Sequence, residues 1–184
     1  MSLTKTPICN FGEKAKNFNL LSTENNKISL GDIKGENGTL IMFICNHCPY
    51  VKAVIKDIVE DVKYLEKIGI KSVAIMSNDV KNYPEDSFEN MIAFSKLYDF
   101  TFQYLIDDTQ EVAKNYGAVC TPDFFGYNKK LELQYRGRIR ELKNLKPVRQ
   151  GDSNLRLAME QIAKTEKGPL DQIPSMGCNI KWFK

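Results

Sequence analysis

The sequence predicts an α/β domain whose sheet contains parallel strands, and three neighbouring features predict it. Leu40-Ile41-Met42-Phe43-Ile44 is an unbroken apolar run between Gly38-Thr39 and Asn46, the pattern of a strand covered on both faces. From Val51 the apolar residues fall at Val51, Ile55, Ile58, Val62 and Leu65, which traces one face of a helix. Ile70-Lys71-Ser72-Val73-Ala74-Ile75-Met76 follows Gly69, and a strand, a helix and a second strand within about 40 residues make a right-handed parallel crossover.

Proline is tolerated only in the first turn of a helix, so Pro49 fixes the helix start and puts Cys48 just before it. The unpaired N–H groups at a helix start favour an anion, and the reactive form of cysteine is the thiolate. Cys48 is therefore the candidate nucleophile. Cys45, three residues earlier, gains less from the helix dipole and is either a partner thiol or a small core residue. His47, the single histidine, either lowers the Cys48 pKa or is structural. Lys52, one turn into the helix, is placed to favour the thiolate modestly.

The remaining elements follow in order. Residues 1–36 form an N-terminal extension with one hairpin, Asn17 to Leu21 and Lys27 to Leu30, turning through Glu24-Asn25-Asn26. Ser29 is placed to cap a short helical turn ending near Gly35. After the crossover, Pro84-Glu85-Asp86 opens a helix carrying Phe88, Met91, Ile92 and Leu97. Phe102 to Ile106 reads as a third strand, and Asp107 or Asp108 caps a helix from Thr109 to Tyr116 that Gly117 closes. Pro122 marks the start of a strand through Tyr127, which returns as a hairpin from Leu131 to Tyr135. A basic, unpatterned loop reaches Gln150, and Asp152 or Ser153 caps a last helix bearing Leu155, Leu157, Met159, Ile162 and Ala163. Residues 168–184 are a tail whose Cys178, Ile180, Trp182 and Phe183 pack against the body. The expectation is one domain, 1–184.

Bulk properties narrow the function. The chain has 184 residues, 42% apolar and 27% charged, with a net charge of +3, too slight a bias to indicate nucleic acid or an anionic membrane. Met1 to Phe18 lacks a signal-peptide pattern and no apolar run is long enough to span a bilayer, so the expected location is cytoplasmic. Five cysteines are too few for a disulfide scaffold and their odd number leaves one unpaired within a monomer. Cys45, His47 and Cys48 offer soft ligands, but no second pair completes a structural zinc set; no metal or organic cofactor is expected.

Cys45-Asn46-His47-Cys48-Pro49-Tyr50-Val51-Lys52, Thr121-Pro122, Tyr135-Arg136-Gly137-Arg138-Ile139 and Gly177-Cys178-Asn179-Ile180-Lys181-Trp182 together resemble the thioredoxin fold in its peroxiredoxin-like form. The resemblance is to bacterial proteins related to the alkyl hydroperoxide reductases and thiol-specific antioxidant proteins. It implies a mixed central sheet with helices on both faces, an N-terminal hairpin, and a cis bond between Thr121 and Pro122 facing the cysteines. It also implies association into a homodimer through an edge strand or helix. In thioredoxins a strand phenylalanine precedes the nucleophile by five residues, the interval from Phe43 to Cys48; Val51 then occupies the place of the usual second cysteine. The alternative pairs Cys45 with Cys48 but would bury Pro49 one turn inside the helix.

The peroxidase signature P-x-x-x-T-x-x-C is absent. Counted back from Cys48 its Thr and Pro positions hold Cys45 and Ile41; counted from Cys45 they hold Met42 and Gly38. A resolving thiol must come from Cys45, Cys178, Cys120 or a second molecule. Arg138, or its neighbour Arg136, is a candidate to aim a guanidinium at the thiolate. The expected activity is thiol–disulfide exchange on a protein or low-molecular-weight disulfide, driven by a thiol reductant. Two alternatives stay open: an atypical peroxidase acting on hydroperoxides, and a non-enzymatic redox sensor or metal carrier on the same fold.

Overall fold

A computed structural model describes residues 3–184. Strands β1 (Leu3–Lys5), β2 (Asn19–Ser22), β3 (Lys27–Ser29) and β4 (Gly38–Phe43) precede helix α1 (Pro49–Lys67) and strand β5 (Ile70–Met76). Helix α2 (Phe88–Leu97), strand β6 (Gln103–Ile106), helix α3 (Glu111–Tyr116) and strands β7 (Cys120–Thr121), β8 (Asp123–Tyr127) and β9 (Leu133–Tyr135) follow. The last elements are the β10 (Leu142–Lys143) and β11 (Lys146–Pro147) pair, helix α4 (Asn154–Thr165) and strand β12 (Met176–Asn179).

A seven-stranded mixed sheet runs β3-β2-β6-β5-β4-β8-β9. β4 pairs in parallel with β5 and antiparallel with β8, so it is interior to the sheet and every one of its residues is buried. Alternation along β4 divides the core. Leu40 and Met42 join Ile55, Ile58 and Leu65 of α1, Met91 and Phe94 of α2, and Met159 and Ile162 of α4 on one face. Ile41 and Phe43 join Val112, Ala113 and Tyr116 of α3 with Phe125 and Tyr127 on the other. The helices on both faces and the mixed sheet agree with the sequence reading. Among the described residues, no helix is long and apolar enough to cross a membrane.

Most boundaries fall where the local chemistry puts them. Pro49 is the first helical residue of α1 with Cys48 as its N-cap, and Gly69, at φ 80°, turns the chain into β5. Asp107 accepts from the Val112 and Ala113 N–H groups at the start of α3, and the Ser153 hydroxyl accepts from Arg156 N to cap α4. Residues 30–33 form turns closed by Ser29–Asp32 bonds rather than a helical element.

Four features differ from expectation. Pro84-Glu85-Asp86 is a separate single turn, and α2 begins at Phe88 with Ser87 as its cap, because the Asp86 side chain is drawn inward rather than along the helix. The basic loop contains the β10–β11 hairpin, whose central residues Asn144 and Leu145 both have positive φ. Leu157 is half exposed while Leu155, Ala158, Met159 and Ile162 carry the buried face of α4. In the tail, Cys178 and Ile180 are buried but Trp182 and Phe183 are exposed. The tail is also more ordered than a packed coil: β12 lies between β1 and β7 in a second, antiparallel sheet.

Candidate active site

The site forms where β4 runs out and α1 begins, opposite the junction of β7 and β8. Thr121-Pro122 is a cis peptide bond, and it brings the Thr121 backbone and side chain to two sulfurs at once. The Cys48 thiol donates to the Thr121 carbonyl at 3.2 Å, and Cys45 Sγ lies 3.3 Å from Thr121 Oγ1. Cys48, Cys45, His47, Thr121 and Pro122 are therefore brought together.

The two thiols are driven in opposite directions. Cys48 is pushed down to about 5, first by a hydrogen bond from Cys45 and further by the Val51 backbone N–H, Thr121 and Cys178, against the opposing effect of burial. Cys45 is pushed well above the ordinary thiol range by burial, with the adjacent Cys48 and the Asp86 charge adding to the rise. A proton shared between neighbouring sulfurs thus stays on Cys45 while Cys48 carries the charge. Cys48 has no exposed surface, so its chemistry requires local opening. A cavity of about 300 Å³ lies alongside, lined by Tyr50, Val54, Pro122, Arg138, Ile173 and Met176 among others.

The residue most conspicuous in the structure is one that sequence reading passed over. Asp86, fully buried, accepts from the backbone N–H groups of Asn46 (2.8 Å) and His47 (3.2 Å) through one oxygen. Its other oxygen takes His47 Nδ1 at 2.6 Å and the Asn78 amide at 2.8 Å. Burial alone would raise its pKa, but the bonds from His47 and Asn78 outweigh it and hold the carboxyl below its usual value. The Asn46-His47 loop is thereby fixed directly before Cys48. Asn46 is held further by Tyr104 Oη, which donates to its Oδ1, and by donating its amide to the Glu85 carbonyl. His47 stacks on Tyr83 at 5.6 Å between ring centres, and its bond to Asp86 raises its pKa. Two residues after Pro84, Asp86 reads as an ordinary acid in a helix's first turn, which is why no sequence signal set it apart.

Other candidates lie elsewhere. Arg138 bonds Asn154 Oδ1 and Glu141 and lines the cavity instead of facing a thiol. Arg136 is buried against Asp123 at 2.9 Å and over the Phe125 ring; both arginines are spoken for by nearby acceptors. Lys52 is exposed on the outer side of α1. Cys120 directs its thiol to the Pro122 carbonyl at 3.7 Å, and burial raises its pKa. Cys178 is opposite Thr121 in the β7–β12 ladder and interacts with Cys48.

Cys45, His47 and Asp86 place ligand atoms within 4.8 Å of one another. A metal there would have to break the His47–Asp86 bond and compete with the three other donors already on the carboxylate, so the arrangement suits a hydrogen-bond network better than a cation.

Residues 11–142 match the AhpC/TSA family. The chain belongs to that family. An uncharacterized conserved protein from Geobacillus kaustophilus, known by crystal structure, is 38% identical with a TM-score of 0.95, over 100% of this chain and 97% of that one. Thiol-disulfide oxidoreductase ResA of Bacillus thuringiensis subsp. konkukian is 31% identical over an alignment of 133 positions that covers 66% of this chain and 66% of the relative, just under two thirds of its length. The thioredoxin domain of a Bacteroides vulgatus thiol-disulfide oxidoreductase shares the fold, with a TM-score of 0.58 at 15% identity over 73% of this chain and 89% of that one. This AhpC/TSA chain thus has the thioredoxin-like architecture. At the Thr position of the peroxidase signature it carries Cys45, whose thiol supplies a donor to Cys48.

Proposed function

We propose that the chain is a thiol–disulfide oxidoreductase in which the Cys48 thiolate attacks a disulfide. The observation that carries this is the placement of the Cys48 sulfur at the N-cap of a 19-residue helix, against the cis Thr121-Pro122 peptide and beside a second thiol that stays protonated. The relatives named thiol-disulfide oxidoreductase support the same reading.

In its protonated form Cys48 donates to the Thr121 carbonyl. Once that proton has gone, the carbonyl repels the sulfur, while Cys45 and the Val51 N–H attract it. The thiolate attacks one sulfur of R–S–S–R′; a Cys48–S–S–R bond forms, the substrate S–S bond breaks, and R′S⁻ leaves to take up a proton. A second thiol then releases RSH. Substrates are protein or small-molecule disulfides reaching the sulfur through the cavity beside Pro122, and a thiol reductant restores the enzyme. Because the cycle begins from reduced thiols, we place it in a reducing compartment, the cytoplasm; fractionation of cells with an antibody to the protein checks this.

Reduction of insulin or of a glutathione mixed disulfide tests the activity. The wild-type protein should accelerate either reaction over dithiothreitol alone, and Cys48→Ser should abolish the acceleration. Wild-type rates equal to the dithiothreitol background would defeat the proposal. A second reading, favoured by the AhpC/TSA match, has the same thiolate split a hydroperoxide O–O bond, giving a Cys48 sulfenic acid and an alcohol. Stopped-flow oxidation by hydrogen peroxide no faster than that of a simple thiol would remove this antioxidant role.

A further inference from the structure

The oxidoreductase reading leaves unnamed the thiol that attacks the Cys48 mixed disulfide, and the inference here rests on that reading. Cys9 sits in the N-terminal segment beside Arg136 and Gln172, and Cys120 lies on the opposite side of β7 from Thr121, bonded to the Pro122 carbonyl. Cys45 and Cys178 remain.

The register between β7 and β12 opposes Cys178 to Thr121 and Asn179 to Cys120. Directly opposed residues share a face of a sheet, so Cys178 faces the same way as the Thr121 side chain that meets Cys45, and its thiol interacts with Cys48. Three sets of contacts hold it there. A Cβ at Gly177 would run into the Thr121 carbonyl and come within 3.1 Å of Pro122 N, so only glycine lets β12 seat this closely on the cis peptide. The Ser175 hydroxyl donates to the Pro122 carbonyl at 2.8 Å. Beyond Cys178, Lys181 N donates to Asn78 Oδ1 and its carbonyl accepts from Gln110 and from Asp79 N.

Charge separates the two candidates. Burial raises both thiols and the neighbouring Cys48 adds to the rise in each, but the buried carboxylate of Asp86 further opposes loss of the Cys45 proton, whereas the Lys181 ammonium favours loss of the Cys178 proton. Both thiols donate to the Cys48 thiolate, Cys45 the more strongly, so loss of the Cys45 proton would remove more of the stabilisation of Cys48.

We propose that Cys178 is the resolving thiol of this enzyme, closing the cycle as a Cys48–Cys178 disulfide. Its sulfur attacks the Cys48 sulfur of the mixed disulfide, the Cys48–S–S–R bond breaks, and RS⁻ leaves with the proton given up by Cys178. Cys48 and Cys178 together lose two electrons, the substrate disulfide gains them, and an external dithiol reductant returns the pair to thiols.

The test is to treat the reduced full-length protein with glutathione disulfide, quench in acid, block thiols with N-ethylmaleimide and map the unreduced digest by mass spectrometry. The expected product in the wild type joins the Cys48 and Cys178 peptides, and Cys120→Ser gives the same product. In Cys178→Ser the glutathione adduct on Cys48 should persist at least about tenfold longer, since an intramolecular attack has been lost. A Cys45–Cys48 linkage in the wild type, or an adduct lifetime unchanged in Cys178→Ser, overturns the assignment of Cys178 and leaves Cys48 as nucleophile. No adduct on Cys48 in either protein overturns the oxidoreductase reading, and the assignment falls with it.

Discussion

Replacing Cys45 by alanine removes the strongest donor to the Cys48 thiolate while leaving the helix start and the cis peptide in place. A hydrogen bond to a charged acceptor contributes about 1.5–3 kcal/mol, and each pKa unit corresponds to about 1.4 kcal/mol. The loss should therefore raise the Cys48 pKa from about 5 by roughly one to two units, to between about 6 and 7. At pH 6 the thiolate fraction then drops from roughly nine-tenths to between about a half and a tenth. Serine at position 45 keeps a donor and should restore part of the shift. The assay is the pH dependence of iodoacetamide alkylation, read at the Cys48 peptide by mass spectrometry. Because Cys48 is closed from solvent, absolute rates also contain the opening step, so the pH midpoint is the quantity to compare. Refutation would be a wild-type midpoint near the ordinary thiol value, or an alanine variant whose midpoint coincides with the wild type.

Two further perturbations follow from the buried carboxylates. Asp86→Ala leaves the Asn46 and His47 N–H groups without their acceptor and should destabilise the fold by about 3 kcal/mol in urea unfolding, with Asp86→Asn losing less. Since Asp86 raises the His47 pKa, their pair stabilises fully below the unfolded value of about 6.5 and fades as pH rises through the folded value. NMR titration of His47 in Asp86→Asn should show a lower pKa, and an unmoved titration contradicts the pairing. Asp61, raised to about 6 by burial despite the 2.5 Å bond from Ser153, has the opposite dependence. The folded state holds this proton longer than the unfolded one, so stability falls as pH rises from about 4 to about 6. Asp61→Asn should raise the melting temperature at pH 7 and bring little gain at pH 4; equal effects at both pH values would show that ionisation is not responsible.

The N-cap position of Cys48 was legible because a single residue, Pro49, fixes the helix start. The strands β4 and β5 and the helix between them were legible from apolar runs that the core then used on both faces. What escaped reading depends on pairings between distant, short segments. β1 and β12 have too few residues for a period, and their register is set by the close seat of Gly177 on Thr121. Leu145 hides the β10–β11 turn, because a leucine at positive φ carries none of the Asn-Gly signature that marks such turns. Asp86 is hidden for a different reason: an acid after Pro84 has an adequate local explanation, and its partners at Asn46 and His47 are known only once β5 has carried the chain back past the start of α1.

Seating β12 on the cis peptide has a consequence for the order in which the protein is made. When Cys48 leaves the ribosome, Thr121, 73 residues on, does not yet exist, and Cys178 follows later still. Until those residues emerge, Cys48 lacks the Thr121 and Cys178 donors and its proposed partner thiol, and only Cys45 and the Val51 N–H stand near it in the chain. The full set of donors around Cys48 is assembled only when the carboxy-terminal strand docks.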